Sequence, residues 1–352
     1  MTSLDLTQDV VMLTKALCDI ESVSGNEHAI ADAVEDALRA LPHLQVERDG
    51  QTVLARTALC RAERVVLAGH LDTVPVNDNF PSRLDGDRLV GLGTCDMKGG
   101  CAVALRMATI PEPNRDLTFF FYECEEVEAE RNGLQRLATT HPEWFAADFA
   151  VLLEPTSATV EGGCQGTLRV DVVAHGARAH SARSWMGDNA IHKAADILQR
   201  LNEYVAREPE VDGLTYHEGM NAVGIRGGVA GNVVPDEVRV SVNHRFAPDR
   251  TEAEAEAFVR EFFAGYDVEV DDLAPGARPG LDRPAAAAFV QAIGREPRPK
   301  LGWTDVARFA GLGVPAVNYG PGDPMLAHRQ DEFVETAELV ECDDRMRAWL
   351  LS

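Results

Sequence analysis

In RVVLAGHLDTVP an apolar run from Val65 to Ala68 ends in Gly69 and then presents His70 and Asp72, two polar side chains where a strand should be giving way to a loop. Four other segments repeat the arrangement. Asp96 lies in GLGTCDMKGG just ahead of a helical pattern, Glu125 and Glu126 follow the apolar FFFYE, Glu154 closes FAVLLEP, and His328 follows PAVNYG through GPGDPMLAH. Singly, each has an ordinary reading: a histidine at a strand end is commonly a hydrogen-bonded structural residue, adjacent glutamates are commonly solvated, and an aspartate before a helix is commonly its N-cap. Together they occupy the same kind of place, and open α/β sheets bind ligands outside the carboxyl ends of their strands. Desolvating so many acids at one rim is unfavourable unless cations offset their charge. Two imidazoles with three or four carboxylates and little thiolate suit zinc, cobalt or manganese. One shared carboxylate could bridge two ions about 3.5–4 Å apart, which together hold a hydroxide and polarise a carbonyl.

Short, nearly continuous apolar runs must carry these residues. RVVLAGH, DLTFFFYE, DFAVLLEP and VPAVNYG read as strands, KGGCAVALRMA between the first two reads as a helix, and helical spacing recurs from Asp9 to Leu41 on either side of the SVSGNE turn. Alternation of that kind predicts an α/β domain whose sheet is covered on both faces. After Gly163 the texture changes: TLRVDVVAHG and DEVRVSVNHRF alternate apolar and polar residues, while NAIHKAADILQRLNEYV and TEAEAEAFVREFFAGY are amphipathic at helical period. These predict an α+β insert with one solvated sheet face and a free edge. PGARPG leads back to α/β texture, which ends in a helix around Glu335 to Leu351. The expected organisation is a catalytic domain in two parts, residues 1–164 and 277–352, interrupted by an inserted domain at 165–276.

Composition removes some classes of partner. A net charge of -24 opposes binding to nucleic acid or an anionic membrane, both of which need a basic face, and is compatible with recruiting cations. No apolar stretch approaches the roughly 20 residues that span a bilayer, and MTSLDLTQDV lacks the basic and apolar regions of a signal peptide, so a cytoplasmic location is expected. The seven cysteines are odd in number and form no CxxC pair, which predicts reduced, mostly buried thiols.

GHLDTVP, GLGTCDMKGG, ECEEVEAERNGL, LLEPT and LAHRQDE, in that order, resemble the di-zinc amidohydrolase and exopeptidase family that includes succinyl-diaminopimelate desuccinylase, acetylornithine deacetylase, aminoacylase and glutamate carboxypeptidase. The resemblance runs over essentially the whole chain. It implies a zinc-exopeptidase-like catalytic domain with an inserted ferredoxin-like dimerisation and lid domain, two Zn2+ per subunit (Co2+ or Mn2+ being admissible), and hydrolysis of the amide of a small N-acyl amino acid. It also implies that Asp96 bridges the ions, that His70 and Glu154 complete one site and His328 and Glu126 the other, that Glu125 is the general base, and that Asp72 orients the imidazole of His70. A cis peptide after Asp96 is a further expectation. HGARAHSARSWMGDN resembles the family segment whose histidine, here His180, stabilises the oxyanion, often from the neighbouring subunit of a homodimer. Asn232 and Arg245 in GNVVPDEVRVSVNHRF match substrate-contacting positions, and Arg308, Arg178, Arg183 and Thr304 are further candidates. Through ECEEVEAERNGL, GWTDVARFAGLGVPAVNYGPGDP and overall length the resemblance is strongest to the desuccinylase branch. One departure is Gly302, Trp303, Thr304, Asp305 where many relatives have Gly-Thr-Ser-Asp. An acetylornithine deacetylase or another N-acyl amino acid hydrolase would share every metal ligand. A non-catalytic metal-binding dimeric scaffold is the alternative of a different class.

Overall fold

A computed structural model describes residues 3–352. The chain divides into two compact units, one running through Gly162 and including Pro279–Arg298 and Arg308–Ser352, the other comprising Gly163–Arg278 and Pro299–Ala307. Residues 299–307, which read in sequence as part of the returning α/β chain, cluster instead with the second unit. Trp303 donates its indole N–H to the Pro275 carbonyl at 3.1 Å, within that unit.

The first unit is built on an eight-stranded sheet. From one edge it runs Gln45–Asp49, Thr52–Arg56, Asp116–Tyr122, Arg64–His70, Phe149–Leu152, Ala316–Asn318 and Glu161–Gly162, and ends in a short strand that begins at Arg298. Four neighbours in this order are mutually parallel: Arg64–His70 pairs with Asp116–Tyr122 and with Phe149–Leu152, which in turn pairs with Ala316–Asn318. Every residue of Asp116–Tyr122 is buried, because Phe119 and Phe121 enter one apolar layer while Phe120 points the other way. The first layer is filled from the helices Val10–Cys18, His28–Arg39, Lys98–Ala108, Pro284–Ile293 and Thr336–Leu351. On the opposite face Phe120 meets Phe145 at 4.9 Å between centroids, and Phe145 meets Phe309 at 5.4 Å. Both faces are therefore covered, as continuous apolar strands require. Gly100 allows the helix Lys98–Ala108 to approach the chain ahead of Glu154, since a Cβ there would lie 1.9 Å from the Leu153 carbonyl oxygen.

The second unit holds a four-stranded antiparallel sheet in the order Gly219–Gly227, Glu237–Phe246, Gly166–His175, Asp267–Ala274. Its chain order of strand, helix, two strands, helix, strand is ferredoxin-like. Leu168, Val170, Val172, Val238, Val240 and Val242 face Ala194, Ile197, Val259 and Phe263 of the helices Ala190–Glu203 and Glu252–Phe262. Alternate residues point outward and form ion pairs across strands: Arg169 with Asp271, Arg226 with Asp171, and Arg239 with Glu269. The edge strand Gly219–Gly227 leaves Val223 and Ile225 exposed, as the free edge read from sequence implies.

His244 is a buried imidazole of this unit whose Nδ1 lies 3.1 Å from the Gly219 carbonyl oxygen. Burial holds its pKa below the ordinary value; the Gly219 carbonyl and Glu218 work against that, and Arg250 and Arg207 reinforce it. The unfolded chain therefore takes up a proton near pH 6.5 that the folded chain resists, so this residue lowers stability as pH falls through that value and has no such effect above it. Replacing His244 with Asn, which retains a donor near the Nδ1 position, should flatten the fall in Tm between pH 7.5 and 5.5 relative to the parent. Parallel Tm–pH curves for the two proteins would refute this account.

Candidate metal centre and active site

Because the four parallel strands share a direction, their carboxyl ends open onto one rim. His70 is the last residue of its strand and pairs in register with Tyr122, so Glu123 to Glu126 emerge beside it. On the other side Ala68 pairs with Leu152, and Leu153 N–H donates to the Ala68 carbonyl at 2.9 Å, which brings Glu154 to the same rim. His328 arrives on the loop after Ala316–Asn318, in a left-handed backbone conformation with φ 64°. Asp96 ends the turn before the helix Lys98–Ala108 but does not cap it: the N-cap is Met97, with no side-chain cap. The Asp96–Met97 peptide is cis.

The carboxylate of Asp96 faces two imidazoles. Its Oδ1 lies 3.1 Å from His70 Nε2 and its Oδ2 lies 3.4 Å from His328 Nε2, while His328 Nε2 also lies 2.9 Å from Glu126 Oε1. One ligand atom each from His70, Asp96 and Glu126 fall within 4.8 Å of one another. Ligand atoms around a tetrahedral Zn2+ at about 2.0–2.1 Å are themselves separated by roughly 3.3 Å, so these spacings suit a cation between them. The donor set and the two-sided disposition of Asp96 fit a pair of hard-to-borderline metal ions.

The segment Glu123–Glu126 is held at each of its positions. Glu123 accepts from Arg136 Nη1 at 2.6 Å and from the Thr52 hydroxyl at 3.0 Å. Buried Glu27 accepts from the Cys124 N–H at 3.2 Å and the Gly25 N–H at 2.8 Å. Asp72 accepts from the N–H groups of Glu125 at 3.0 Å and Glu126 at 3.1 Å, and from the Ser24 hydroxyl at 2.7 Å. These bonds give Asp72 a second role beside the one expected of it. The closest contact of His70 Nδ1 is with the backbone oxygen of Asp72 at 3.0 Å, and the carboxylate lies farther off at 3.6 Å. The carboxylate clamps the backbone of the two glutamates and also favours charge on the His70 ring, while the carbonyl makes the shorter contact to Nδ1. Ser24, Glu27 and Glu332 went unnoticed in the sequence; SVSGNE carries only a turn signal, and nothing local shows that its side chains reach Asp72 and Cys124.

Burial opposes charge on His70, but hydrogen bonds to Asp72 and Asp96 outweigh it and hold the imidazolium well above the ordinary histidine range. Asp96 shows the converse: burial works against ionisation, and the bonds to His328 and His70 draw its pKa far below the usual carboxylate value. Hydrogen bonds to Asp96 and Glu126 raise His328 to about 10. Protons thus stand where cations would, and metal binding must displace them. Zinc added to metal-free protein at pH 7.5 should release about two protons, one from each imidazole, and bind more tightly as pH rises toward about 10. Calorimetry in buffers of different ionisation enthalpy measures the release; a heat independent of buffer would contradict this account.

The remaining candidates lie elsewhere. In the second unit, His180 is exposed and caps the short helix Ser181–Met186, its Nδ1 accepting from Ala182 N–H at 3.1 Å, which leaves Nε2 as the protonated, donating nitrogen. Asn232 is exposed, and its carbonyl accepts from Ser181 N–H at 2.9 Å, so it lies on the chain beside His180. Arg178 is engaged with Asp236 at 2.7 Å, and Arg183 is exposed on the His180 helix. Arg245 is half-buried, and burial lowers its pKa; among the described residues it has no carboxylate within ion-pair distance. Thr304 is buried in the second unit. Arg308, in the first, donates to Gln135 Oε1 at 2.5 Å.

Residues 66–352 match peptidase family M20/M25/M40. The chain is 54% identical over 351 residues to a DapE protein of Mycobacterium tuberculosis, each covered to 99%. It is 48% identical over 359 residues to the succinyl-diaminopimelate desuccinylase of Corynebacterium glutamicum, covering 99% of this chain and 97% of that one. Among solved structures it is similar to aminopeptidase PepT from Bacillus cereus (TM-score 0.80, 20% identity, 99% and 98% covered). It is also similar to YXEP from Bacillus subtilis, described as a dinuclear metal-binding peptidase (TM-score 0.69, 15% identity, 97% and 96% covered). At those identities the structural likeness establishes the fold, and the full-length relatives establish the kinship. The chain with its rim of imidazoles and carboxylates belongs to peptidase family M20/M25/M40, whose members are metal-dependent hydrolases of amide bonds.

Proposed function

We propose that this enzyme hydrolyses N-succinyl-LL-2,6-diaminopimelate to succinate and LL-2,6-diaminopimelate, using two Zn2+ ions. The observation that carries the reading is identity of 48–54% over the full chain to relatives that bear the desuccinylase name, and the clustering of His70, Asp96 and Glu126 within 4.8 Å supports a metal there. His70, Asp96 and Glu154 would hold one ion and His328, Glu126 and Asp96 the other. When bound, the ions supply Lewis acidity that polarises the acyl carbonyl and lowers the pKa of water. Glu125 takes a proton from the attacking water and delivers it to the departing amine nitrogen as the C–N bond breaks. Its backbone is fixed by Asp72, so the carboxylate needs little reorganisation to reach either partner.

By resemblance we assign His180 as the donor to the oxyanion, and its protonated Nε2 is the correct tautomer for that task. Arg245 offers a half-buried guanidinium not committed to an ion pair, suited to a substrate carboxylate through a bidentate fork. Such a local fork matters in a protein of charge -24, which repels a carboxylate-rich substrate at long range. Exposed Val223 and Ile225 on the edge strand and Ile191 and Leu198 on the adjacent helix support pairing of the inserted unit with a second copy. This apolar edge favours a dimerisation role for that unit; its service as a lid rests on resemblance. The chain contains no helix long and apolar enough to cross a membrane among its described residues, and we infer a cytoplasmic enzyme.

Amine release from N-succinyl-diaminopimelate, compared with N-acetylornithine and with a chelated control, tests the reading. A strong preference for the succinyl compound that disappears on chelation is expected. Preference for N-acetylornithine would replace the substrate assignment while keeping the metals, and inactivity on both and on an N-acyl amino acid panel would favour a metal-binding scaffold. Light scattering on the same preparation should give the mass of a dimer, and a monomer would remove that part. Glu125→Gln should lower kcat by about 10²–10⁴-fold while zinc content, measured by elemental analysis, stays at the parental level; undiminished turnover would remove Glu125 from the chemistry.

A further inference from the structure

Glu332 follows His328 by four residues and is only 1% exposed. Its Oε1 accepts from the backbone N–H of Cys95 at 2.8 Å and from that of Asp96 at 3.1 Å. Its own carbonyl accepts from Gly91 N–H at 2.9 Å, and Asn79 Nδ2 donates to the Arg329 carbonyl at 3.3 Å. Immediately beyond, Phe333 pairs with Val90 in an antiparallel ladder. The stretch that carries His328 is thereby joined to the turn that carries Asp96, through contacts made wholly by protein groups.

These contacts have a direct geometric consequence. Two N–H groups converging on one buried oxygen fix the orientation of the peptides on the N-terminal side of Asp96. That orientation sets the direction of its side chain, whose Oδ2 must meet His328 Nε2 and whose Oδ1 must meet His70 Nε2. Removing the acceptor leaves two buried N–H groups without a partner and frees the turn to shift relative to the His328 loop. Outer groups that orient metal ligands are known to govern affinity in this way.

We propose that Glu332 is a positioning residue that presets the spacing of Asp96 and His328, and thereby the affinity of the metal site that His328 and Glu126 complete. The proposal rests on the metal reading of the rim given above and is independent of which amide is the substrate.

The test is zinc titration of the metal-free, full-length protein against a chromophoric chelator, for the parent and for Glu332→Ala, Glu332→Asp and Glu332→Gln. Ala removes the acceptor and Asp withdraws it by one methylene; each should weaken the zinc equivalent that His328 completes about 10–100-fold and the other, which shares Asp96, by a clearly smaller factor. Gln keeps an acceptor oxygen and should restore both equivalents to within about threefold of the parent. At limiting zinc, kcat of the Ala and Asp variants should fall with little change in KM. Equal weakening of both equivalents would show a merely structural role and overturn the proposal, as would parental affinity in the Ala or Asp variant. A folded Gln variant as defective as Ala would also overturn it. Should Ala fail to fold, Asp and Gln still decide. A parent inactive on N-succinyl-diaminopimelate would sink the substrate reading alone, because the zinc titration does not depend on turnover.

Discussion

Placing several carboxylates at one partly desolvated rim is the constraint on which the rest of this structure depends. Each would repel its neighbours, and an unpaired charge in such surroundings costs several kcal/mol, on the order of the whole margin of stability of a domain. Without ions, His70 and His328 supply the positive charge by holding protons on either side of Asp96. With ions, the same geometry exchanges protons for cations.

Such a rim needs a rigid frame, and the frame comes from two sources. The parallel strands give each ligand a starting point and a direction, since their registers fix which residues emerge side by side. Hydrogen-bonded anchors then set the loops that follow. Asp72 and Glu27 accept from the backbone of Cys124 to Glu126 and Thr52 donates to Glu123, so the segment that carries the proposed base is held by polar groups of other elements. Packing of the helix Lys98–Ala108 against the chain before Glu154 depends on the missing Cβ of Gly100, and Asp96 ends the turn that leads into that helix. Charged groups that look redundant in the composition thus divide into ligands and anchors.

The second unit shows a different division of labour. Its inner sheet face is an aliphatic layer under two helices, and its outer face is a ladder of exposed ion pairs, each worth little on its own. Against that background Arg245 stands out, because the ladder pairs its neighbours Arg169, Arg226 and Arg239, while among the described residues no carboxylate lies within ion-pair distance of its guanidinium. An apolar edge strand adds a surface whose exposure is unfavourable for an isolated molecule.

Much of this was legible in the amino-acid order. Continuous apolar runs such as DLTFFFY specify strands buried on both faces, and their placement ahead of His70, of Glu125 and Glu126, of Glu154 and of His328 locates the candidate site residues at strand ends, because apolar patterning is local and follows directly from burial. The alternation after Gly163 likewise specifies a sheet with one solvated face. Tertiary structure alone decided which carboxylates face the imidazoles and which accept from backbone N–H groups. Asp72, expected as a partner for a ring, is also a backbone acceptor; Glu27 and Glu332, which went unnoticed in the sequence, are buried against Cys124, Cys95 and Asp96. Residues 299–307 looked continuous with the α/β chain yet cluster with the insert. The physical reason is that a hydrogen bond to a backbone N–H leaves no mark on the sequence of its partner: any residue offers that donor, and only the fold determines which acceptor is brought to it.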